Sequence, residues 1–388
     1  MKKNMERRIG SFLCIACLLV SLGISQDKKV TIRVVPPAST PKGSTICIAG
    51  NAPMLGNWDP GAVKLVNDGD HRWSFSTVVP AGTVLEFKLT RGTWDSEAEY
   101  VDDVVAQNTV VIVRSDTTIT LVPSTWKDLS PARQQRARIG GITGTVNYHR
   151  GLKGEGLKYD RDLIVWLPPS YEKESQKRYP VLYMHDGQNV FDPATSFLGS
   201  DWRADEVADS LMKAHALQEI IIVGMNNTPD RMTEYADTPT GRLYARFVAT
   251  KVKPFIDSVY RTKPSPENTG IMGSSMGGLV SMLFVMWYPE VFSKAGCLSS
   301  SIGFGMDEKE LEKEFDKPAL KKNLRIYMDV GELERSLIAP NREFAAFLQK
   351  RGFIEGENFE FFFAKGAVHN EMAWAHRLWR PLRFLFGK

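Results

Sequence analysis

Cysteine is scarce in this sequence, and the few cysteines present do not suggest a disulfide framework. The chain has 388 residues and four cysteines. Cys14 and Cys17 lie in an N-terminal apolar run, whereas Cys47 and Cys297 fall in different predicted domains. We therefore expect no disulfide framework, even in an oxidising compartment. Cys47 and Cys297 are interpreted as small buried hydrophobic residues.

The sequence also lacks a strong charge of one sign, a biased tract and a long apolar run. Its net charge of +4 comes from 49 basic and 45 acidic residues. The basic residues form no stripe interleaved with aromatic residues, which excludes a nucleic-acid partner. No apolar run reaches the ~20 residues that span a bilayer, so no membrane span is expected. No motif implies a metal or an organic cofactor.

The N-terminus has the pattern of a secretory signal. Lys2, Lys3, Arg7 and Arg8 precede an apolar run, 12–24, and small residues then lead to a polar stretch. This order of basic, apolar and small residues predicts a signal peptide at residues 1–25. A lipid-anchoring cysteine would need a longer apolar stretch before it. We expect a secreted or periplasmic protein.

Length and patterning predict two domains, because a single core usually stops growing near ~250–300 residues. Residues 28–127 contain short β-branched runs separated by turn residues, which predicts an all-β, immunoglobulin-like sandwich. A polar stretch at 128–143 is interpreted as a linker. Residues 144–388 alternate strand and helix patterns, which predicts an α/β domain with a mostly parallel sheet and helices on both faces. The strand candidates of this second domain are Asp162–Leu167, Val181–His185, Glu219–Met225, Gly270–Gly273, Lys294–Leu298, Arg325–Val330 and Phe359–Phe363. The helix candidates are Ala204–Ala214, Tyr244–Val259, Gly278–Tyr288, Arg342–Arg351 and Glu371–Phe386.

The segment Gly273–Gly277 fits the G-x-S-x-G pattern and lies between an apolar strand and an apolar helix. This context indicates a nucleophile elbow, a strained turn that presents a serine hydroxyl above the sheet. Side chains at the glycine positions would clash with the strand and the helix. Ser275 is therefore the candidate nucleophile, in preference to Ser274. The alternative is a strand-to-helix turn without chemistry.

A serine nucleophile of this kind needs a histidine base and a carboxylate that follow it in the chain. His369 and His376 are the candidates for the base. His369 is preferred because it follows the last strand, whereas His376 lies further on among apolar helix residues. The acid should follow the strand that ends near Val330.

Three carboxylates compete for the role of the acid. Asp329 lies within the strand, where it can simply satisfy backbone donors. Glu332 and Glu334 lie in the loop beyond it, and spacing does not choose between them.

An oxyanion intermediate needs two preorganised N–H donors. The amide of Met276, directly after the candidate nucleophile, is the first donor. The loop after the strand Val181–His185 contains Gly187, which permits a close backbone approach, so the amide of Gln188 is the second candidate. His185 and Asp186 are candidates for the substrate cleft or for a polar turn that caps the strand.

At these motifs the chain resembles the putative esterase family, which includes esterase D, feruloyl and acetyl-xylan esterases, enterochelin (siderophore) esterases and mycolyltransferases. The resemblance begins near Gly144. It is carried by the segments 157–171, 185–189, 231–235, 273–278, 329–334 and 369–374. It implies an α/β-hydrolase fold, the base His369 and the oxyanion donors Gln188 and Met276. It also implies Glu334 as the acid, although many members of the family carry Asp at that position.

The resemblance also draws attention to Arg231, Glu234 and Tyr235, which follow the strand Glu219–Met225. They are candidates for the substrate cleft. A structural, salt-bridged loop is the alternative interpretation.

The N-terminal domain resembles a starch-binding-type carbohydrate-binding module at 55–58, 71–73, 85–89 and 90–95. The resemblance implies that Trp58, Trp73 and Trp94, with Lys88, are candidate glycan contacts. At least one of these tryptophans is expected in the core, and the domain could instead serve as a spacer.

The sequence thus predicts a secreted serine ester hydrolase with a Ser275, His369 and Glu334 triad. Its expected substrates are acyl esters of carbohydrates, such as acetyl or feruloyl esters, or small esters, with polysaccharide bound by the N-terminal domain. A siderophore esterase, an acyltransferase to a sugar and a non-catalytic glycan-binding protein are the alternatives.

Overall fold

The computed structural model describes residues 26–100, 108–130, 141–197, 199–302 and 324–388. The predicted signal peptide, residues 1–25, and most of the predicted linker lie outside the described residues. Among the described residues, no helix has the length and apolar character that a membrane crossing requires.

The N-terminal part is a β-sandwich, as predicted. Its strands are β1 (Asp27–Val34), β2 (Cys47–Gly50), β3 (Val63–Lys64), β4 (Val66–Gly69), β5 (Arg72–Pro80), β6 (Val84–Thr90), β7 (Ala98–Glu99), β8 (Thr109–Ile112), β9 (Thr117–Leu121) and β10 (Thr125–Trp126). They form four-stranded sheets in the orders β4-β5-β1-β9 and β3-β2-β6-β8, with β7 and β10 as a separate pair. Alternate residues of β1, such as Val30 and Ile32, are buried with Ile48 and Phe87 of the second sheet. This alternation places one apolar face of each sheet in a shared core.

The C-terminal part contains one eight-stranded sheet. Its strands are β11 (Thr145–Leu152), β12 (Arg161–Leu167), β13 (Val181–His185), β14 (Ile221–Met225), β15 (Thr269–Ser274), β16 (Lys294–Leu298), β17 (Arg325–Gly331) and β18 (Phe359–Ala364). Their order is β11-β12-β14-β13-β15-β16-β17-β18. The pairs β11/β12 and β12/β14 are antiparallel, and the pairs from β14 to β18 are parallel.

Helices cover both faces of this sheet, which confirms the predicted fold class. The helices are α1 (Ala204–Lys213), α2 (Arg231–Glu234), α3 (Pro239–Phe247), α4 (Lys253–Val259), α5 (Met276–Trp287), α6 (Arg335–Lys350), α7 (Glu371–Arg377) and α8 (Trp379–Phe386). In β13, Val181 and Tyr183 join one apolar core, whereas Leu182 and Met184 join the other. A strand buried on both faces reads as a continuous apolar run, which made it recognisable in the sequence.

Several elements differ from the sequence-based prediction. The helix predicted at Tyr244–Val259 begins earlier, as α3 at Pro239, and a π-helical segment, Val248–Val252, separates α3 from α4. The strand β11 was not predicted, because it is an edge strand with mostly exposed, polar residues. The helix predicted at Arg342–Arg351 begins at Arg335 and contains Pro340. The helix predicted at Glu371–Phe386 is divided into α7 and α8 at Leu378.

Candidate active site

Ser275 occupies a strained turn between β15 and α5. Its backbone has φ 58° and ψ −123°, a conformation that L-residues rarely adopt. A Cβ atom at Gly273 would lie 2.8 Å from the carbonyl carbon of Gly277, so the turn closes only with glycine at 273. The amide of Ser275 donates to Leu298 O at 3.0 Å. The turn is thus fixed by the close packing of its glycines and by the neighbouring strand.

The side chain of Ser275 has a neighbour that the sequence did not reveal. Its Oγ lies 3.2 Å from Oγ of Ser301, and the amide of Ser301 donates to Ser275 O at 3.0 Å. Ser301 follows the end of β16. The run of three serines after Leu298 is the signal that could have indicated it, because loops at the carboxyl ends of parallel strands meet at one edge of the sheet.

His369 and Glu334 form a direct pair. Nδ1 of His369 lies 3.0 Å from Oε1 of Glu334, and the other carboxylate oxygen accepts from the amide of Gly331. The side chain of Glu334 is fully buried. Burial pushes the pKa of Glu334 upward, but His369 and Arg377 outweigh burial and hold the pKa below its usual range. Glu334 is therefore a buried, ionised carboxylate next to an imidazole.

The competing residues have other partners. Glu332 accepts from the amide of Gly366 at 2.8 Å in an exposed turn. Asp329 is buried and pairs with Arg377 through bonds of 2.9 and 3.0 Å. His376 is exposed on α7. None of these three side chains joins the His369 and Glu334 pair.

The two candidate oxyanion donors come from different elements. Met276 is the first residue of α5, where backbone N–H groups have no partner within the helix. Gln188 lies in the 3₁₀ turn Gly187–Asn189, directly after β13. A Cβ atom at Gly187 would lie 2.5 Å from the carbonyl carbon of Gly224, which accounts for glycine at this position.

Asp186 and Arg231 form a rigid pair beside this turn. Asp186 has a left-handed backbone with φ 55°. Arg231 contacts its two carboxylate oxygens at 2.7 and 2.8 Å, and Asn227 donates to one of them at 2.6 Å. Burial raises the pKa of Asp186, but Arg231 and Asn227 outweigh it, and the pKa lies below its usual range.

Three of the residues predicted for the substrate cleft are instead buried in the interior. His185 is 2% exposed and bonds to the hydroxyl of Tyr244 at 2.8 Å, and burial lowers the pKa of its imidazole to about 3. Glu234 pairs with the buried Arg161 at 2.7 Å. Tyr235 is fully buried. Because the three side chains are enclosed by the protein, the interpretation that they line a cleft is corrected. The neutral His185 and the ion pair of Glu234 with Arg161 instead stabilise the loop from the interior of the domain.

The aromatic residues of the sandwich divide into two groups. Trp73 lies on β5, is half-buried and packs against the sandwich core, and its role as a glycan contact stays a prediction. Trp58 and Trp94 are half-buried, with ring centroids 6.5 Å apart. Lys88 pairs with the buried carboxylate of Glu97. Trp58 and Trp94 thus form one aromatic surface.

Three carboxylates lie close together near the start of α1. Single oxygen atoms of Asp201, Asp205 and Glu206 lie within 4.8 Å of one another. Burial, and then Glu206, raises the pKa of Asp205 to about 8, while a bond from the amide of Thr143 opposes the shift. Asp205 therefore keeps its proton to a higher pH than an ordinary aspartic acid does.

Comparison with known proteins agrees with this architecture. Residues 154–385 match the model of the putative esterase family, and residues 28–120 match that of the starch binding domain. The uncharacterised protein YbbA of Bacillus subtilis strain 168 is 24% identical over 260 residues, which cover 62% of this chain and 98% of that protein.

Solved structures show the same fold. A ferulic acid esterase has a TM-score of 0.52 and 24% identity over 62% of this chain and 98% of its own. The enterobactin esterase of Shigella flexneri has a TM-score of 0.51 and 15% identity over 88% of each chain. The family model spans more than half of the sequence, and the chain therefore belongs to the putative esterase family.

Proposed function

We propose that this protein is a serine carboxylic-ester hydrolase that acts on acyl esters of carbohydrates, such as acetyl or feruloyl esters. The observation that carries the proposal is the pairing of His369 with the buried Glu334 at 3.0 Å, in a fold that also presents Ser275 on a strained turn. Both features lie at the carboxyl ends of parallel strands, where open α/β sheets bind ligands.

In the proposed reaction, Oγ of Ser275 attacks the ester carbonyl while His369 accepts its proton. The amides of Met276 and Gln188 bind the oxyanion that forms, and each such donor contributes ~3–4 kcal/mol in comparable sites. His369 then gives its proton to the leaving alcohol. Water, activated by the same imidazole, releases the acid from the acyl-enzyme.

Glu334 has the role of orienting the imidazole and stabilising its protonated form. The ionised state favoured at this position supports the role, because a neutral partner would not offset the charge of an imidazolium. Its second oxygen is held by the amide of Gly331, so the carboxylate has one fixed orientation.

The carbohydrate part of the proposal rests on the starch binding domain. Trp58 and Trp94 are the proposed sugar contacts, because their half-buried rings form one surface. Lys88 is a further proposed sugar contact, although its ammonium group already pairs with Glu97. We also propose that residues 1–25 direct export to the periplasm or the medium.

A siderophore ester is the second candidate substrate. The likeness to the enterobactin esterase extends over 88% of this chain, and so beyond the esterase domain alone. That solved structure is identical at 15% of positions and shows the fold, so the substrate has to be decided by activity.

The test of the proposal uses a fluorophosphonate probe together with a substrate panel. The wild-type protein should be labelled, and Ser275→Ala should not. Ser274→Ala is the matched control and should retain labelling. The panel contains acetylated xylan, feruloylated arabinoxylan and a tris-catecholate ester. An unlabelled wild type that turns over no ester would contradict the proposal, and preferred cleavage of the catecholate ester would favour the second candidate.

A further inference from the structure

Two contacts between the sandwich and the esterase domain lie beside the candidate catalytic residues. The first contact involves Phe197 of the esterase domain. Its ring meets that of Trp94 edge to face at 6.1 Å, and Nζ of Lys127 lies 3.1 Å from its centroid. Lys127 also donates to Trp94 O at 3.2 Å. An aromatic ring and a cation of the sandwich thus both contact the ring of Phe197.

Phe197 is connected to the turn that carries Gln188. Its amide donates to Oδ1 of Asn189 at 2.8 Å. The hydroxyl of Thr195 in the same segment donates to Gln188 O at 2.7 Å. Asn189 is 6% exposed, so the bond that it accepts from Phe197 is largely shielded from water and correspondingly strong, whereas the bond of Thr195 lies at the surface. The position of Phe197 therefore constrains the candidate oxyanion turn.

The same asparagine reaches the segment that carries His369. Nδ2 of Asn189 donates to Oε1 of Glu371 at 3.2 Å, and Glu371 begins α7 two residues after His369. Burial raises the pKa of Glu371 to about 7, while Lys88 and Lys127 of the sandwich lower it. Two lysines of the sandwich thus act electrostatically on a residue beside the candidate base.

The second contact reaches the turn that carries Glu334. Ser336, in the first turn of α6, donates its hydroxyl proton to Oε2 of Glu86 on β6. Glu86 is 3% exposed, and Asn108 of the sandwich donates to its other oxygen at 2.7 Å. A fixed carboxylate of the sandwich therefore holds the start of the helix that follows Glu334.

We propose that the sandwich is a positioning part of the active site. It fixes the oxyanion turn through Phe197 and Asn189, and it fixes the acid-bearing turn through Ser336. The inference rests on the proposed ester hydrolysis. This positioning role differs from glycan binding, because it affects the hydrolysis of an ester that contains no sugar as much as that of a glycan ester.

The test compares interface variants of the full chain on p-nitrophenyl acetate, which has no sugar to bind. Phe197→Ala and Ser336→Ala should each lower kcat about tenfold or more, because small displacements of catalytic groups are costly, and KM should stay within about twofold. Phe197→Tyr keeps the aromatic ring over which Lys127 lies, so its kcat should be close to that of the wild type. Val78→Ala is the control, since Val78 is exposed on the sandwich at 58% and should leave kcat unchanged.

Thermal unfolding of each variant separates positioning from loss of fold, and kcat is compared only at temperatures where all variants are folded. An unchanged kcat for folded Phe197→Ala and Ser336→Ala would overturn the inference. A change confined to the KM for glycan esters would also overturn the inference. Wild-type protein that neither cleaves p-nitrophenyl acetate nor takes up the fluorophosphonate label would instead contradict the proposed hydrolysis itself.

Discussion

At the scale of single residues, three carboxylates at the end of β17 show how environment separates chemically similar groups. Asp329 is neutralised by Arg377, Glu332 bonds to a backbone amide in an exposed turn, and Glu334 is buried against His369. They lie within six positions of the chain, and their partners come from distant segments. The partners, and not the spacing, assign the acid role proposed for Glu334.

Glu334→Gln should lower kcat for p-nitrophenyl acetate by about 10³- to 10⁴-fold, as in other triads that lose the acid's charge. KM should change little, because the substrate does not touch this side chain. Steady-state kinetics measure both constants.

Glu332→Gln is the matched control for this substitution. It changes a carboxylate two positions away that bonds to the turn amide of Gly366, so its kcat should stay close to that of the wild type. Equal losses in the two variants would contradict the assignment of the acid.

At the scale of elements, the strand, turn and helix around Ser275 depend on glycine for steric reasons. Gly273→Ala should destabilise the fold by about 1–3 kcal/mol, because the new Cβ would lie 2.8 Å from the backbone of Gly277. Urea denaturation measures the loss. Gly141→Ala is the control and should leave stability unchanged, since a Cβ atom there would have no neighbour within 4 Å among the residues that the structure describes. An unchanged free energy of unfolding for Gly273→Ala would contradict this prediction and would show that the turn can widen to accept the methyl group.

The start of α1 should make stability depend on pH through Asp205. Its pKa of about 8 in the folded protein lies above the ordinary 3.8, so its contribution to stability is complete below pH ~4 and is lost as the pH rises through 8. Asp205→Asn retains an acceptor for the amide of Thr143 and replaces the acidic proton by an N–H. The free energy of unfolding of the variant, measured relative to that of the wild type, should therefore rise by more than about 1 kcal/mol as the pH goes from 5 to 9.

Unfolding curves at a series of pH values measure this difference. Glu155→Gln removes an exposed carboxylate, 86% exposed at its side chain, and should give a difference that does not vary with pH. A difference for Asp205→Asn that stays constant from pH 5 to pH 9 would contradict the role of the buried carboxyl.

The elements also show how far the sequence alone could lead. The buried strands β13 to β17 and the glycine-rich elbow were predictable, because apolar runs and obligatory glycines are local signals. The edge strand β11 was not, since its exposed residues are polar. Ser301 and Asn189 act through partners far away in the chain; the run of serines after Leu298 is a signal for Ser301, but no local pattern indicates the contact of Asn189 with Glu371. His185 appeared polar and accessible in the sequence but is enclosed by tertiary packing.

At the scale of the whole molecule, the sandwich presents Trp58 next to the surface where the two domains meet. Trp58→Ala should weaken binding to a soluble starch by about tenfold or more, because a large aromatic contact is lost. The turnover of p-nitrophenyl acetate should not change. Affinity electrophoresis measures the binding, and Val66→Ala, 66% exposed on the sandwich, is the control. Unchanged retention of Trp58→Ala would contradict a role for this residue in glycan binding.

The ion pair of Asp329 and Arg377 joins the strand that leads to Glu334 with the helix that follows His369. Both side chains are almost completely enclosed, at 0% and 6% exposure. At 0.1 M salt the Debye length is about 10 Å, and mobile ions screen exposed charges that lie further apart than this, but they barely screen an enclosed pair. The alignment of base and acid should therefore be indifferent to ionic strength. Between 0.05 M and 1 M sodium chloride, we therefore expect kcat for a neutral ester to vary by less than about twofold.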